Sequence, residues 1–107
     1  MVGLRLEHRW IRRQIRSGAY EFSGHAEDER QVDRITIAEV EEALLNGEVL
    51  EDYPNDPRGP SCLVLGYAGQ GYPIHVVCGQ TPSLRLRVIT VYVPSLPKWI
   101  DERTRRR

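Results

Sequence analysis

His25 follows Phe22-Ser23-Gly24 and precedes the acidic run Glu27-Asp28-Glu29. Serine is a helix-capping residue, so His25 is expected at a helix N-terminus. There the backbone dipole disfavours an imidazolium, and a histidine tends to serve as a base. Capping or packing is the plainer role for the same residue. His75 alternates with Ile74 and Val76, so in a strand it faces away from them. A proton-transfer group and a half-buried structural histidine fit that position equally. Arg58 lies in the loop Pro54-Asn55-Asp56-Pro57-Arg58-Gly59-Pro60, beside a glycine that lets a ligand backbone come close. Thr90 and Tyr92 share a strand face and bring two hydroxyls to one surface; both are also good strand formers. His75 and Cys78, spaced H-x-x-C in a strand, point to opposite faces, and no second His or Cys pair accompanies them. A metal site is therefore disfavoured. There is no phosphate-binding glycine loop, nucleophile elbow or H-E-x-x-H, and no cofactor is implied.

Positioning these side chains falls to a short list of elements. Residues 4–16 read as a helix ended by Gly18, with Leu4, Ile11 and Ile15 in one sector. Arg9, Arg12, Arg13 and Arg16 fall on nearly the opposite side, as a solvated face or as a stripe for phosphates or acidic partners. Tyr20-Glu21-Phe22 looks extended. Ser23 caps a second helix running to about Arg30 or Asp33, and Thr36 with Glu39 forms a capping box for a third, closed by Asn46-Gly47. Strands are expected at Glu48–Tyr53, Ser61–Tyr67, Tyr72–Cys78 and Leu84–Val93, with a hairpin turn at Gly69-Gln70-Gly71. In the last strand, strict alternation puts Leu86, Val88, Thr90 and Tyr92 on one face and Arg85, Arg87, Ile89 and Val91 on the other. Pro94 and Pro97 end it, and Lys98-Trp99-Ile100 is expected to dock as a final turn. Helices followed by a meander of strands is an α+β pattern.

The chain of 107 residues, 40% of them apolar, suits one domain with one core and has no membrane-spanning run or signal peptide. Cys62 and Cys78 read as buried free thiols, which implies a reducing cytoplasm. The net charge is zero but unevenly spread. Residues 1–20 hold five arginines and one acid; residues 21–56 hold twelve acids and two arginines; residues 57–107 hold eight basic residues and two acids. A polyanion responds to such local fields rather than to the total.

The run Phe22-Ser23-Gly24-His25-Ala26, then Ile35-Thr36 and Val40-Glu41-Glu42-Ala43-Leu44, begins a pattern that resembles domain of unknown function 4258. It continues through Asp56-Pro57-Arg58-Gly59-Pro60-Ser61-Cys62-Leu63-Val64-Leu65-Gly66 and Pro73-Ile74-His75-Val76-Val77 to Ile89-Thr90-Val91-Tyr92. The resemblance covers about residues 20–93 and leaves out the arginine helix and the tail. It implies a fold akin to RelE-like and barnase-like ribonucleases, with N-terminal helices packed on one face of a twisted antiparallel sheet. It also implies a toxin of a bacterial type II toxin–antitoxin pair, with a small zinc-finger antitoxin as partner. His25 matches the family's histidine, and Thr90 and Tyr92 match its C-terminal strand motif. Many members place an arginine four residues after the histidine; this chain has Glu29 there and Arg30 one position on.

The expected activity is metal-independent cleavage of RNA, in which the ribose 2′-hydroxyl attacks the adjacent phosphate. That reaction needs a base, an acid and positive charge at the phosphorane. His25 is expected as base or acid, and Arg58 with Arg85 or Arg87 as phosphate stabilisers. His75 or Tyr92 is expected as the second proton-transfer group. Arg9, Arg12, Arg13 and Arg16, together with Arg85 and Arg87, are the expected contacts to RNA or a partner. The alternative is a non-catalytic protein- or RNA-binding module of the same fold.

Overall fold

The structure, a computed structural model, describes residues 6–69 and 71–106. Leu4 of the expected first helix, Gln70 of the expected turn and Arg107 of the basic tail lie outside them. Three helices, α1 (His8–Ser17), α2 (Gly24–Val32) and α3 (Ile37–Asn46), accompany five strands. The strands are β1 (Tyr20–Phe22), β2 (Glu48–Tyr53), β3 (Ser61–Tyr67), β4 (Pro73–Gln80) and β5 (Leu86–Tyr92), in the sheet order β1-β5-β4-β3-β2. The α+β architecture is the expected one, and β2 to β5 run antiparallel. The sheet as a whole is mixed, because β1 joins β5 in parallel. A three-residue strand carries no orientation signal in sequence; its direction is set by the helices and strands that separate it from β5. No helix among the described residues is long and apolar enough to cross a membrane.

All three helices lie on one face of the sheet. Ile11 and Ile15 of α1, Ile35, and Val40 and Leu44 of α3 meet Cys62, Val64, Ile74, Val76, Cys78, Val88 and Val91 in a single core. The first helix starts at His8 rather than residue 4, with Glu7 extended at the N-cap position and Leu6 buried ahead of it. It ends, as its sequence predicts, at Gly18 in the left-handed conformation. The capping box of Thr36 and Glu39 is formed. The backbone of α3 rests directly on β3: a Cβ on Gly66 would stand 2.1 Å from the Ala43 carbonyl oxygen. Cys62 and Cys78 are opposite each other on β3 and β4, both buried and unbridged, with sulfurs 3.9 Å apart.

β5 departs from strict alternation. Val77 pairs with Thr90 while its neighbour Cys78 pairs with Val88, so Ile89 is an extra residue, a bulge. Leu86, Val88 and Val91 therefore face the helices, whereas Arg87, Thr90 and Tyr92 share the opposite face. This corrects the face assignment of the sequence reading, which separated Arg87 from Thr90 and grouped Thr90 with Val88.

Past β1, the outer edge of β5 is met by helix side chains instead of a strand. Val91 N–H donates to Glu29 Oε1 at 3.1 Å, and Val93 N–H donates to Asp33 Oδ2 at 2.9 Å. Four residues of helix rise about 6 Å and two of strand about 6.6 Å, so carboxylates at i and i+4 match N–H groups at i and i+2.

Residues 94–106 fold back over the non-helical face as a strap. Trp99 is buried there; Arg103 pairs with Glu48, and Arg105 with Glu51, its guanidinium 4.6 Å from the Trp99 ring centre.

Candidate functional site

Phe22 pairs with Val88, and the next residue, Ser23, donates its backbone N–H to the Val88 carbonyl at 2.9 Å. Its hydroxyl accepts the Ala26 N–H, capping α2, and donates to the carbonyl of Ile89, the bulge residue, at 2.9 Å. One buried serine thus fastens the start of α2 to the bulge, which holds His25 and Thr90 at the same opening. That opening is a cleft of about 830 Å³ on the face away from the helices. Its floor is β5 with Arg87 and Thr90, Gly79 of β4 and Ser61 of β3; its walls are Glu21 of β1, His25 of α2, the Asp56–Pro60 loop and the turn at Thr81–Ser83. The glycine keeps the floor low, as a Cβ on Gly79 would meet Ile89 Cδ1 and the Pro60 oxygen at 3.3 Å.

Asp56 shapes the loop that carries Arg58. One carboxylate oxygen accepts the Arg58 backbone N–H at 3.0 Å and its Nε at 3.4 Å, and the other accepts the Ser61 hydroxyl at 3.1 Å. The Arg58 partnership, led by the backbone bond, lowers the Asp56 pKa below the usual carboxylate value. Gly59 turns the chain with φ of +115°, a value that favours glycine. Arg58 itself projects with 78% of its side chain exposed. His25 is also open, at 68% exposure, with Nε2 at 3.3 Å from Glu29 Oε1.

The fold therefore brings together His25, Arg58, Arg87 and Thr90 of the residues singled out in the sequence. Arg85 lies one step outside, donating from a terminal nitrogen to the Tyr20 carbonyl at 3.0 Å. His75 and Tyr92 are elsewhere, under the strap. His75 is wholly buried, with Nδ1 at 3.1 Å from the Tyr92 hydroxyl, Nε2 at 2.7 Å from the Glu102 carbonyl oxygen, and the Trp99 ring edge-on at 4.4 Å. Burial lowers the His75 pKa, and it raises that of Tyr92. His75 and Cys78 do face opposite sides of the sheet. Arg9, Arg12, Arg13 and Arg16 lie along α1, Arg12 partly buried and the other three exposed, and make no ion pair among the described residues. Arg30, next to the departing Glu29, is taken up by Glu27 and by the Ile35 carbonyl.

Glu21, Asp56 and Ser61 belong to the cleft and escaped the sequence reading. Asp56-Pro57-Arg58-Gly59 is an Asx-turn pattern, so the aspartate's grip on the Arg58 N–H had a local signal. Glu21 had none, since only the parallel pairing of β1 with β5 sets it opposite Arg87. The family model for Domain of unknown function (DUF4258) matches residues 22–93, which takes in His25, Arg58, Arg87 and Thr90 but neither α1 nor the strap. No curated protein and no solved structure gives a significant match.

Proposed function

This chain belongs to the Domain of unknown function (DUF4258) family, and on that premise we propose that it is an endoribonuclease of the toxin kind, its cleft taking a phosphodiester of RNA. The observation that supports this reading is the convergence of His25 from α2, Arg58 from the proline loop, and Arg87 and Thr90 from β5 on one open cleft. In the proposed reaction His25 takes the proton of the ribose 2′-hydroxyl as that oxygen attacks phosphorus. Arg58 and Arg87 offset the charge of the phosphorane, and the Thr90 hydroxyl is a hydrogen-bonding group beside it. The carboxylates of the cleft are engaged by arginines, so water protonates the departing 5′-oxygen, which makes for slow turnover. No step calls on a cofactor. His25→Ala is expected to keep its unfolding temperature within a few degrees and to lose RNA cleavage by roughly 10²-fold or more, the usual contribution of one positioned proton-transfer group. Thermal unfolding and an RNA-cleavage assay on the same two proteins check this; full cleavage by the variant would remove His25 from the mechanism.

One observation favours a second reading, a binding module without turnover: both cleft arginines already face carboxylates. Binding of RNA without cleavage by the parent protein would select it. In either reading Arg9, Arg12, Arg13 and Arg16 are proposed as the contact surface for RNA or an acidic antitoxin. Replacing all four with glutamine should weaken that contact, and its dependence on salt, without changing the unfolding temperature.

A further inference from the structure

The arginines of the cleft differ in how their charge is met. Asp56 is committed to the fold: its side chain is only 16% exposed, and its two oxygens hold the Arg58 backbone, the Arg58 guanidinium and Ser61. Glu21 is committed to nothing comparable. Its side chain makes no hydrogen bond among the described residues, and its oxygens stand 3.7 Å from Arg85 Nε and 3.6 Å from Arg87 Nη1. Its side chain is 43% exposed at the cleft wall, directly across the β1–β5 pairing from Arg87. Arg85 is anchored independently through the Tyr20 carbonyl, so that guanidinium keeps its place without Glu21.

We propose that Glu21 is the resident counter-ion of an Arg85–Arg87 anion site, and that it restricts this site to phosphates carrying a single negative charge. The inference rests on the cleft being a phosphodiester site. Arg58 and Asp56 cancel, and Arg85 and Arg87 against Glu21 leave one positive charge. An internal phosphodiester, with one negative charge, balances that remainder. A terminal or free phosphate, with charge near −2, meets the same remainder and a carboxylate that repels it. Internal linkages of a single strand are thereby favoured over phosphorylated ends, as an endonucleolytic cleft requires.

The test compares the parent protein with Glu21→Gln and Glu21→Asp, using two probes. One is a short 2′-O-methyl oligoribonucleotide with hydroxyls at both ends, which offers only phosphodiesters and resists cleavage. The other is inorganic phosphate. The parent and Glu21→Asp should bind the oligonucleotide and show no measurable phosphate binding. Glu21→Gln should bind the oligonucleotide about five-fold more tightly, the scale of one exposed ion pair. Its salt dependence should steepen by about 0.7 in log–log slope, as for one more cation on a single strand, and it should gain phosphate binding. Since the Glu21 side chain supports no hydrogen bond, unfolding temperatures should coincide. A folded Glu21→Gln protein that binds both probes no better than the parent overturns the counter-ion role and leaves the RNA reading intact. Phosphate binding by Glu21→Gln alone, with the oligonucleotide bound by none of the three, upholds the counter-ion and overturns the RNA reading.

Discussion

Glu102 offers His75 a backbone carbonyl, and a carbonyl can only accept, so Nε2 of that histidine carries the proton. Nδ1 is then the acceptor for the Tyr92 hydroxyl, whose oxygen in turn takes the indole N–H of Trp99 at 3.0 Å. The chain of donors is complete only with a neutral imidazole. Burial acts in the same sense by lowering the His75 pKa, against the Glu102 carbonyl and Glu51, which favour the charged form. A histidine whose folded pKa is depressed binds its proton more readily in the unfolded chain, so stability rises with pH through that window. The contribution is full above about pH 6.5 and is lost as pH falls from there toward the lower folded value. Urea midpoints measured between pH 7.5 and 5 should fall for the parent and stay flatter for a less stable His75→Gln. Glu51 adds a separate acid loss: Arg105 first of all holds its pKa at about 2, so its contribution is present above 4.5 and disappears as pH falls toward 2. His25, after a capping serine, and His75, in an alternating strand, both read in sequence as proton-transfer candidates or structural histidines. What separates them is the strap and its Glu102 carbonyl, 27 residues away from His75, which no local pattern reports.

At the level of elements, Ser23 does three things within one residue, closing the β1 pairing, capping α2 and holding the bulge. Ser23→Ala removes the cap and leaves buried partners unmet, for a loss of about 1–3 kcal/mol. Because the same bonds set His25 beside Thr90, RNA cleavage should fall although every proposed reacting side chain remains. Denaturant unfolding and cleavage rates, compared with a destabilising helix-interior change away from the cleft such as Ala43→Gly in α3, separate the two effects; an equal fall in both variants would reduce Ser23 to a stability residue. The helices, their caps and four of the five strands were legible because each is signalled within a few residues: Thr36 with Glu39, Gly18, the proline loop, the alternating strands. The bulge was not. Thr90 and Arg87 are three apart, and alternation places such a pair on opposite faces unless one residue is unpaired, which only the cross-strand register with β4 decides. So all four converging residues were named from sequence by type or resemblance, yet the bulge that lets them share a face was invisible, and Thr90 and Tyr92 were grouped with Leu86 and Val88 instead of with Arg87.

For the molecule as a whole, the uneven charge of the sequence is largely folded onto itself. The basic C-terminal stretch meets acidic β2 through Arg103–Glu48 and Arg105–Glu51, and Arg85 and Arg87 meet Glu21. What stays unmatched among these groups is the α1 arginine stripe, which lies, like the strap, outside the segment matched by the family. The family segment therefore holds the cleft apart from Glu21, while the flanks supply Ile11 and Ile15 to one face of the sheet and Trp99 to the other. The two carboxylates of α2 that meet the β5 edge have a consequence at this scale. An open strand edge is a template on which another chain can add a strand, and Glu29 and Asp33 occupy that template with charge and with acceptors already in use. Glu29→Ala with Asp33→Ala should cost only about 1–2 kcal/mol of stability. The double variant should nonetheless scatter light and bind a fibril-reporting dye on storage at concentrations where the parent stays clear. Held at room temperature, it would be expected to turn cloudy well before it unfolds.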